Sequence, residues 1–245
     1  MTKAIQIENF SYRYPDGTKA LSDITLDIDH DRRVALIGPN GAGKSTLLLA
    51  MAGFIRGTGR IVIDGLELTN SNLKQVRSCI GCCLENPEDQ LFMPTLFDDV
   101  AFGPLNMGLV SEQVRQRVTD ALDKVGLSGM AERAPHHLSA GQKRAASIAT
   151  VLSMSPKIIT LDEPDGSLDP RHRETLVRLL TGLSQTLIIA TCSMDFAAAV
   201  ADTAVIIDGG QVVITGPADK IMSDSKLMLN HGLEVPKKFI SGQAI

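Results

Sequence analysis

Residues Gly38-Pro39-Asn40-Gly41-Ala42-Gly43-Lys44-Ser45-Thr46 carry the pattern G-x-x-x-x-G-K-[ST] between an apolar run, Val34 to Ile37, and a second one, Leu47 to Ala52. A strand feeding a helix through such a turn is the context that makes the pattern a phosphate loop. Successive backbone N–H groups converge on phosphate oxygens, and the helix N-terminus adds its positive dipole end. Lys44 neutralises β- and γ-phosphates, and the Ser45 hydroxyl ligates Mg²⁺. The expected ligand is a nucleoside triphosphate. No Asn is followed by Lys anywhere in the chain, so the Asn-Lys-x-Asp guanine reader is absent and ATP is preferred. A second chemical pair follows the apolar run Lys157 to Leu161, where Asp162 and Glu163 stand together. Asp162 suits a Mg²⁺-holding carboxylate, and Glu163 suits a base that orients and deprotonates an attacking water. Such a pair would also suit a solvated strand end; the phosphate loop upstream favours the hydrolytic reading.

The elements that must position these residues alternate between strand and helix. Ile5 to Ile28 shows period-two strands around a Pro15-Asp16-Gly17 turn, and residues 60–66 return to strand alternation. Ile80 to Leu84, 157–161, 186–191 and 204–207 are short apolar runs suited to buried parallel strands. Between Ser111 and Ala149 the pattern turns helical, with Val114, Val118, Ala121, Leu122 and Val125 at helix spacing and Gly126 as a stop signal. Residues 170–182 and 194–201 read as further helices, and 220–245 as a short helix with an irregular tail. The fold class is α/β, a mostly parallel sheet covered by helices.

Leu138-Ser139-Ala140-Gly141-Gln142 is a helix start in which Ser139 suits an N-cap, and it also carries a family likeness. With the phosphate loop and Asp162-Glu163 it resembles the ATP-binding cassette (ABC) ATPases, whose Leu-Ser-Gly-Gly-Gln signature reaches across a dimer to the other subunit's γ-phosphate. The resemblance covers nearly the whole chain. It implies one ABC domain over 1–245: a P-loop NTPase with a RecA-like parallel-sheet core, an antiparallel β subdomain, a helical subdomain at about 87–150 and a C-terminal extension at about 220–245. It further implies that Ser139, Gly141 and Gln142 act in trans, that Ser167-Leu168-Asp169 is the loop joining the two sites, and that Tyr14 stacks on adenine, with Tyr12 the alternative. Asn86-Pro-Glu-Asp-Gln-Leu-Phe92, Asp99 to Asn106 and Asn230-His-Gly-Leu-Glu-Val-Pro236 resemble the cobalt-type and energy-coupling-factor branch. That branch drives uptake of cobalt, nickel, biotin and other vitamins.

Three positions depart from the family pattern. Ala140 replaces a glycine, Glu85 stands where a glutamine contributes to Mg²⁺ and the water, and Cys192 stands where a histidine donates to the γ-phosphate. Glu85 can still bind Mg²⁺ but adds negative charge beside a polyanion, and a thiol is a weak donor. These two are expected to slow hydrolysis in this chain's own site.

Length and composition set the outer bounds. At 245 residues, 44% apolar and 21% charged, the chain has material for one large core. A net charge of −4 speaks against nucleic acid as a partner. With no stretch of 18 apolar residues and no apolar leader at Met1, a cytoplasmic chain at the membrane surface is expected, its membrane-spanning partners being separate polypeptides. Cys79, Cys82, Cys83 and Cys192 are expected as buried, inert thiols. The expected function is the ATP-hydrolysing subunit of an uptake transporter, working as a homodimer or as a heterodimer with a second ABC ATPase. One rival is a nucleotide-gated partner that hydrolyses poorly and lends its signature to a paralogue. A soluble ABC ATPase of DNA repair or translation is a second, disfavoured by the acidic chain and the lack of a long coiled-coil insertion.

Overall fold

The protein is described from a computed structural model that covers residues 3–166 and 168–240. The chain opens with an antiparallel hairpin of two long strands, β1 (Lys3–Arg13) and β2 (Lys19–Asp29), then enters β3 (Arg33–Ile37) and α1 (Lys44–Met51). Next come β4 (Thr58–Ile63), β5 (Leu66–Glu67), α2 (Leu73–Cys79) and β6 (Ile80–Cys83). A helical lobe follows: α3 (Leu96–Asn106), α4 (Ser111–Lys124) and α5 (Ala140–Leu152). The chain returns through β7 (Ile158–Asp162), α6 (Pro170–Thr181), β8 (Thr186–Ala190), α7 (Met194–Val200), β9 (Thr203–Asp208) and β10 (Gln211–Pro217). Three short helices close it: α8 (Ala218–Ser223), α9 (Ser225–Asn230) and α10 (Lys237–Ile240).

The strands form two sheets. The first is antiparallel, in the order β2-β1-β4-β5; the second runs β10-β9-β3-β8-β7-β6, parallel except for β10. The parallel strands are apolar along their length because both faces are covered. Alternation shows instead in which layer each residue joins. Ile158 and Ile188 pack toward α1 and the antiparallel sheet, whereas Ile159 and Ile189 pack toward α6 and the helical lobe. Ala35, Ile37, Ala204 and Ile206 bury a third layer under α7, α8 and α9.

Several expectations are corrected. Residues 60–66 are not one strand: Asp64 and Gly65, both at positive φ (49° and 80°), turn β4 into β5, and β4 buries Ile61, Val62 and Ile63 in succession rather than alternately. Among its described residues the tail holds three helices, not one; Met222, Met228 and Leu233 anchor it to the third layer. The helical lobe begins at Leu96, within the 87–150 that the resemblance implies, rather than at Ser111 as the residue pattern suggests. Gly103 and Pro104 hide α3 from a propensity reading, yet a Cβ on Gly103 would lie 2.5 Å from Met154 Cγ, so the glycine permits close packing on the segment after α5. β10 was not expected; it adds an antiparallel edge strand whose run Val212-Val213-Ile214 is largely exposed. Ser167 and residues 241–245, part of the expected site-joining loop and of the C-terminal extension, lie outside the described residues.

Candidate functional site

β3 delivers the chain to the phosphate loop, and the loop's shape is set by backbone packed on backbone. A Cβ on Gly38 would sit 2.0 Å from the Ile207 carbonyl oxygen, and one on Gly43, at φ 103°, would sit 2.7 Å from the Ala20 oxygen. Only glycine fits these two contacts. Gly210 N–H donates to Ala42 O at 3.1 Å, and Ala42 N–H donates to Pro39 O at 3.1 Å. Lys44 is buried, and its ammonium donates to the carbonyls of Gly38 (2.8 Å) and Pro39 (3.2 Å). Beside it, Tyr14 Oη and Thr46 Oγ1 are 3.0 Å apart. Tyr12 packs edge-on against the Tyr14 ring at 5.0 Å, so of the two tyrosines Tyr14 is the one tied to the loop's helix.

The ends of β7 and β8 complete this corner. Ser45 Oγ donates to Asp162 Oδ1 at 3.0 Å across 117 residues of sequence. Burial pushes the Asp162 carboxyl above its usual range; the Ser45 hydrogen bond and Lys44 oppose the rise, and Glu85 and Glu163 add to it. Glu163 adopts a left-handed φ of 40°, and its Oε2 accepts from the Cys192 N–H at 3.1 Å. Left-handed backbone at a residue other than glycine is strained and favours functional positions. Cys192 is not buried as expected: it is exposed, its Sγ accepts from Lys44 Nζ at 3.3 Å and donates to Asn40 Oδ1 at 3.0 Å. Desolvation, helped by Glu163, raises its thiol above the ordinary range, so it stays protonated. Cys83 is buried as expected, and Cys79 and Cys82 are half-buried; all four thiols are free.

Glu85 is exposed and lines a cavity of about 380 Å³ with Glu163, Gly166, Ala140 and Lys143. Ser139 caps α5 in a reciprocal box: Gln142 N–H donates to Ser139 Oγ (3.3 Å), and Ser139 N–H donates to Gln142 Oε1 (2.9 Å). The helix-start reading thus holds in the free chain. Asp169 caps α6, with its Oδ1 accepting from the His172 N–H at 2.9 Å; that bond leads in holding its carboxyl below the usual range. Gly141 and Gln142 open on a separate cleft of about 630 Å³ that contains no phosphate-loop residue. The fold therefore brings Tyr14, Lys44, Ser45, Asp162, Glu163 and Cys192 together, with Ala140, Lys143 and Arg144 of α5 on the Glu163 side, while Gly141 and Gln142 face the separate cleft.

Three residues near these motifs escaped the sequence reading. Asp165, 2% exposed, accepts from Thr191 Oγ1 at 3.0 Å, while Thr191 Oγ1 accepts from Ser193 N–H at 3.0 Å, locking the turn that carries Cys192. His172 packs so closely on Gly141 that a Cβ there would lie 2.4 Å from its ring. Arg144 is buried between the Glu85 loop and Glu163. Only the adjacency of Asp165 to Asp162-Glu163 offered a signal; the other two depend on tertiary contacts. The donor set matches Mg²⁺ with a nucleotide: hydroxyl and carboxylate oxygens are hard ligands, they already meet at 3.0 Å, and a buried cation stands beside a glycine cradle.

Comparisons with known proteins show the family and the fold. The model of the ABC transporter family matches residues 21–166. An energy-coupling factor transporter ATP-binding protein, EcfA of Methanothermobacter thermautotrophicus, is 40% identical over 239 residues, 95% of this chain and 77% of that protein. The structure of CbiO1 from Clostridium perfringens, part of the transporter complex CbiONQ, superposes with a TM-score of 0.84 at 31% identity and full coverage of both chains. A dimeric ATP-binding cassette in a post-hydrolysis state with ADP and Pi matches at a TM-score of 0.78 and 26% identity, over 87% of this chain and 98% of that one.

Proposed function

Because the chain belongs to the ABC transporter family and is an ATP-hydrolysing transporter subunit using ATP with Mg²⁺, we propose that it energises uptake in a cobalt-type or energy-coupling-factor system. The segments 86–92, 99–106 and 230–236 and the likeness to EcfA and CbiO1 support that branch, whose substrates are cobalt, nickel or vitamins. One observation carries the coupling. The loop after β6 lines the Glu163 cavity at Glu85 and, seven residues on, presents Phe92, 61% exposed, edge-on to Phe102 at 5.2 Å. Leu105 and Val110 extend the same lobe's exposed apolar surface. Apolar patches of this kind mark interaction sites. Integral membrane subunits dock there, and this chain works as a peripheral subunit on the cytoplasmic face; no helix among its described residues is long and apolar enough to cross a membrane.

In the proposed cycle the N–H groups of the loop from Gly38 to Thr46 and the Lys44 ammonium hold the phosphates, and Tyr14 stacks on the adenine. Ser45 and Asp162 would hold the metal, with Glu85 a further candidate ligand. Mg²⁺ held there would supply positive charge against the phosphates. Glu163 takes the proton of the attacking water. Its carboxylate is already aimed by the Cys192 N–H. Ser139, Gly141, Gln142 and Asp169 complete the site of a second cassette, in a homodimer or a heterodimer. The exposed Glu85 and the weakly donating Cys192 favour a second reading, a slow partner that lends α5 to a faster paralogue. Purification of the full chain from its native membrane tests both: integral membrane companions are expected, a second, different cassette points to the slow-partner reading, and a chain recovered without membrane proteins contradicts the transport role.

A further inference from the structure

Arg144 lies one turn into α5, is 4% exposed, and points its guanidinium at two loops of the site. Nη1 donates to Leu84 O at 2.7 Å, and Nη2 donates to Glu85 O and, at 3.4 Å, to Glu163 O; Nε has no partner among the described residues. A buried charge left with backbone carbonyls alone is costly to keep, so a replaceable packing role explains it poorly. Burial lowers its pKa, and the carboxylates of Asp162, Asp165 and Glu85 oppose the loss of its charge. It also forms the wall between the two cavities, lining the one that holds Glu163 and the one that holds Gly141.

The rest of α5 is stitched to the same loop. Lys143 pairs with Glu88, and Gln90 Nε2 donates to Ser147 O (2.9 Å) and Thr150 Oγ1 (2.7 Å) while its Oε1 accepts from Leu84 N–H at 3.1 Å. These contacts fix the loop to the helix. Arg144 alone among them extends across to β7, meeting the carbonyl of the residue at φ 40°. That carbonyl also accepts from Gly166 N–H at 3.1 Å, so the strained peptide is held from two sides.

We infer that Arg144 is a positioning residue that aligns the Glu163 carboxylate with the Glu85 loop and so links the placement of α5 to the competence of the site. This rests on the reading of Glu163 as the base. A planar guanidinium can hold carbonyls of both segments at once, which a lysine ammonium on a flexible stem does not reproduce. Arg144→Lys in the full chain with its partner cassette is therefore expected to lower kcat for MgATP about 10-fold to 100-fold, with ATP affinity within about threefold. A residue that acts through Glu163 loses its effect once Glu163 is neutralised. The test is a double-mutant cycle read by single-turnover hydrolysis: the parent, Arg144→Lys, Glu163→Gln and the pair. On the Glu163→Gln background, Arg144→Lys should change the residual rate less than about twofold. An equal loss on both backgrounds, or a folded Arg144→Lys protein with parental kcat, overturns the inference. Parental hydrolysis by Glu163→Gln overturns the base assignment instead. Should Arg144→Lys not fold, Arg144→Gln occupies its place in the cycle with the same deciding outcomes.

Discussion

Two corners of the same site are built by different means. The phosphate loop is shaped by backbone against backbone: Gly38 under the Ile207 carbonyl, Gly43 against Ala20, Ala42 bonded to Gly210. The corner that faces it, where Glu85, Arg144, Glu163 and the turn of Asp165, Thr191 and Cys192 meet, is held by side chains from three separate segments that tie in the backbone of a fourth, the Glu85 loop. A backbone-built corner demands particular residues in one short stretch, and glycine is irreplaceable at two of them. A side-chain-built corner accepts different solutions provided charge and hydrogen bonds are satisfied together. Glu85 and Cys192 occur in the second corner and nothing comparable occurs in the first.

If this contrast is sound, the first corner should tolerate the least. Lys44→Ala removes the one buried cation of the loop, and equilibrium titration should show loss of tight MgATP binding, by about 100-fold or more. Retained affinity would remove the phosphate-loop assignment. The second corner should permit improvement. Glu85→Gln with Cys192→His replaces a carboxylate and a weak donor by a neutral amide and a strong donor, and steady-state hydrolysis with the partner cassette should rise by about 10-fold or more. The single changes should each give less than the pair. No acceleration at intact ATP affinity would show that the present residues already serve the reaction well.

The smallest expected effect concerns Asp165. Burial raises its carboxyl above the ordinary 3.8, partly offset by Thr191 and Ser193. The folded state then holds its proton more tightly than the unfolded chain does, so stability falls as pH rises from about 4 through the raised value. Asp165→Asn has no such titration. Denaturant unfolding at several pH values should show the parent losing stability relative to the variant as pH rises. A constant difference would mean that Asp165 is not shifted.

The same contrast explains what was legible in the sequence. Gly38 to Ser45 and Asp162-Glu163 are contiguous, so their chemistry could be read from residue types, as could the apolar parallel strands and the Ser139 cap. Arg144 meets residues 59 and 60 positions away, and no local pattern announces such a contact. β10 went unread although Val212, Val213 and Ile214 form a β-branched run, and the residue pattern alone missed α3 because Gly103 and Pro104 serve packing rather than propensity. Cys192 was misjudged as buried because composition describes cysteines in general, whereas its position after β8 sets it beside Lys44.

The central claim is that Glu163 acts on a water in a site that a second cassette completes. Glu163→Gln removes the base and leaves the Lys44, Ser45 and Asp162 contacts in place. Sizing chromatography of that variant with its partner cassette, in MgATP, should show a stable dimer that is absent without nucleotide and dissociates slowly, with hydrolysis reduced by at least about 100-fold. Only monomers in MgATP, together with undiminished hydrolysis, would contradict the account.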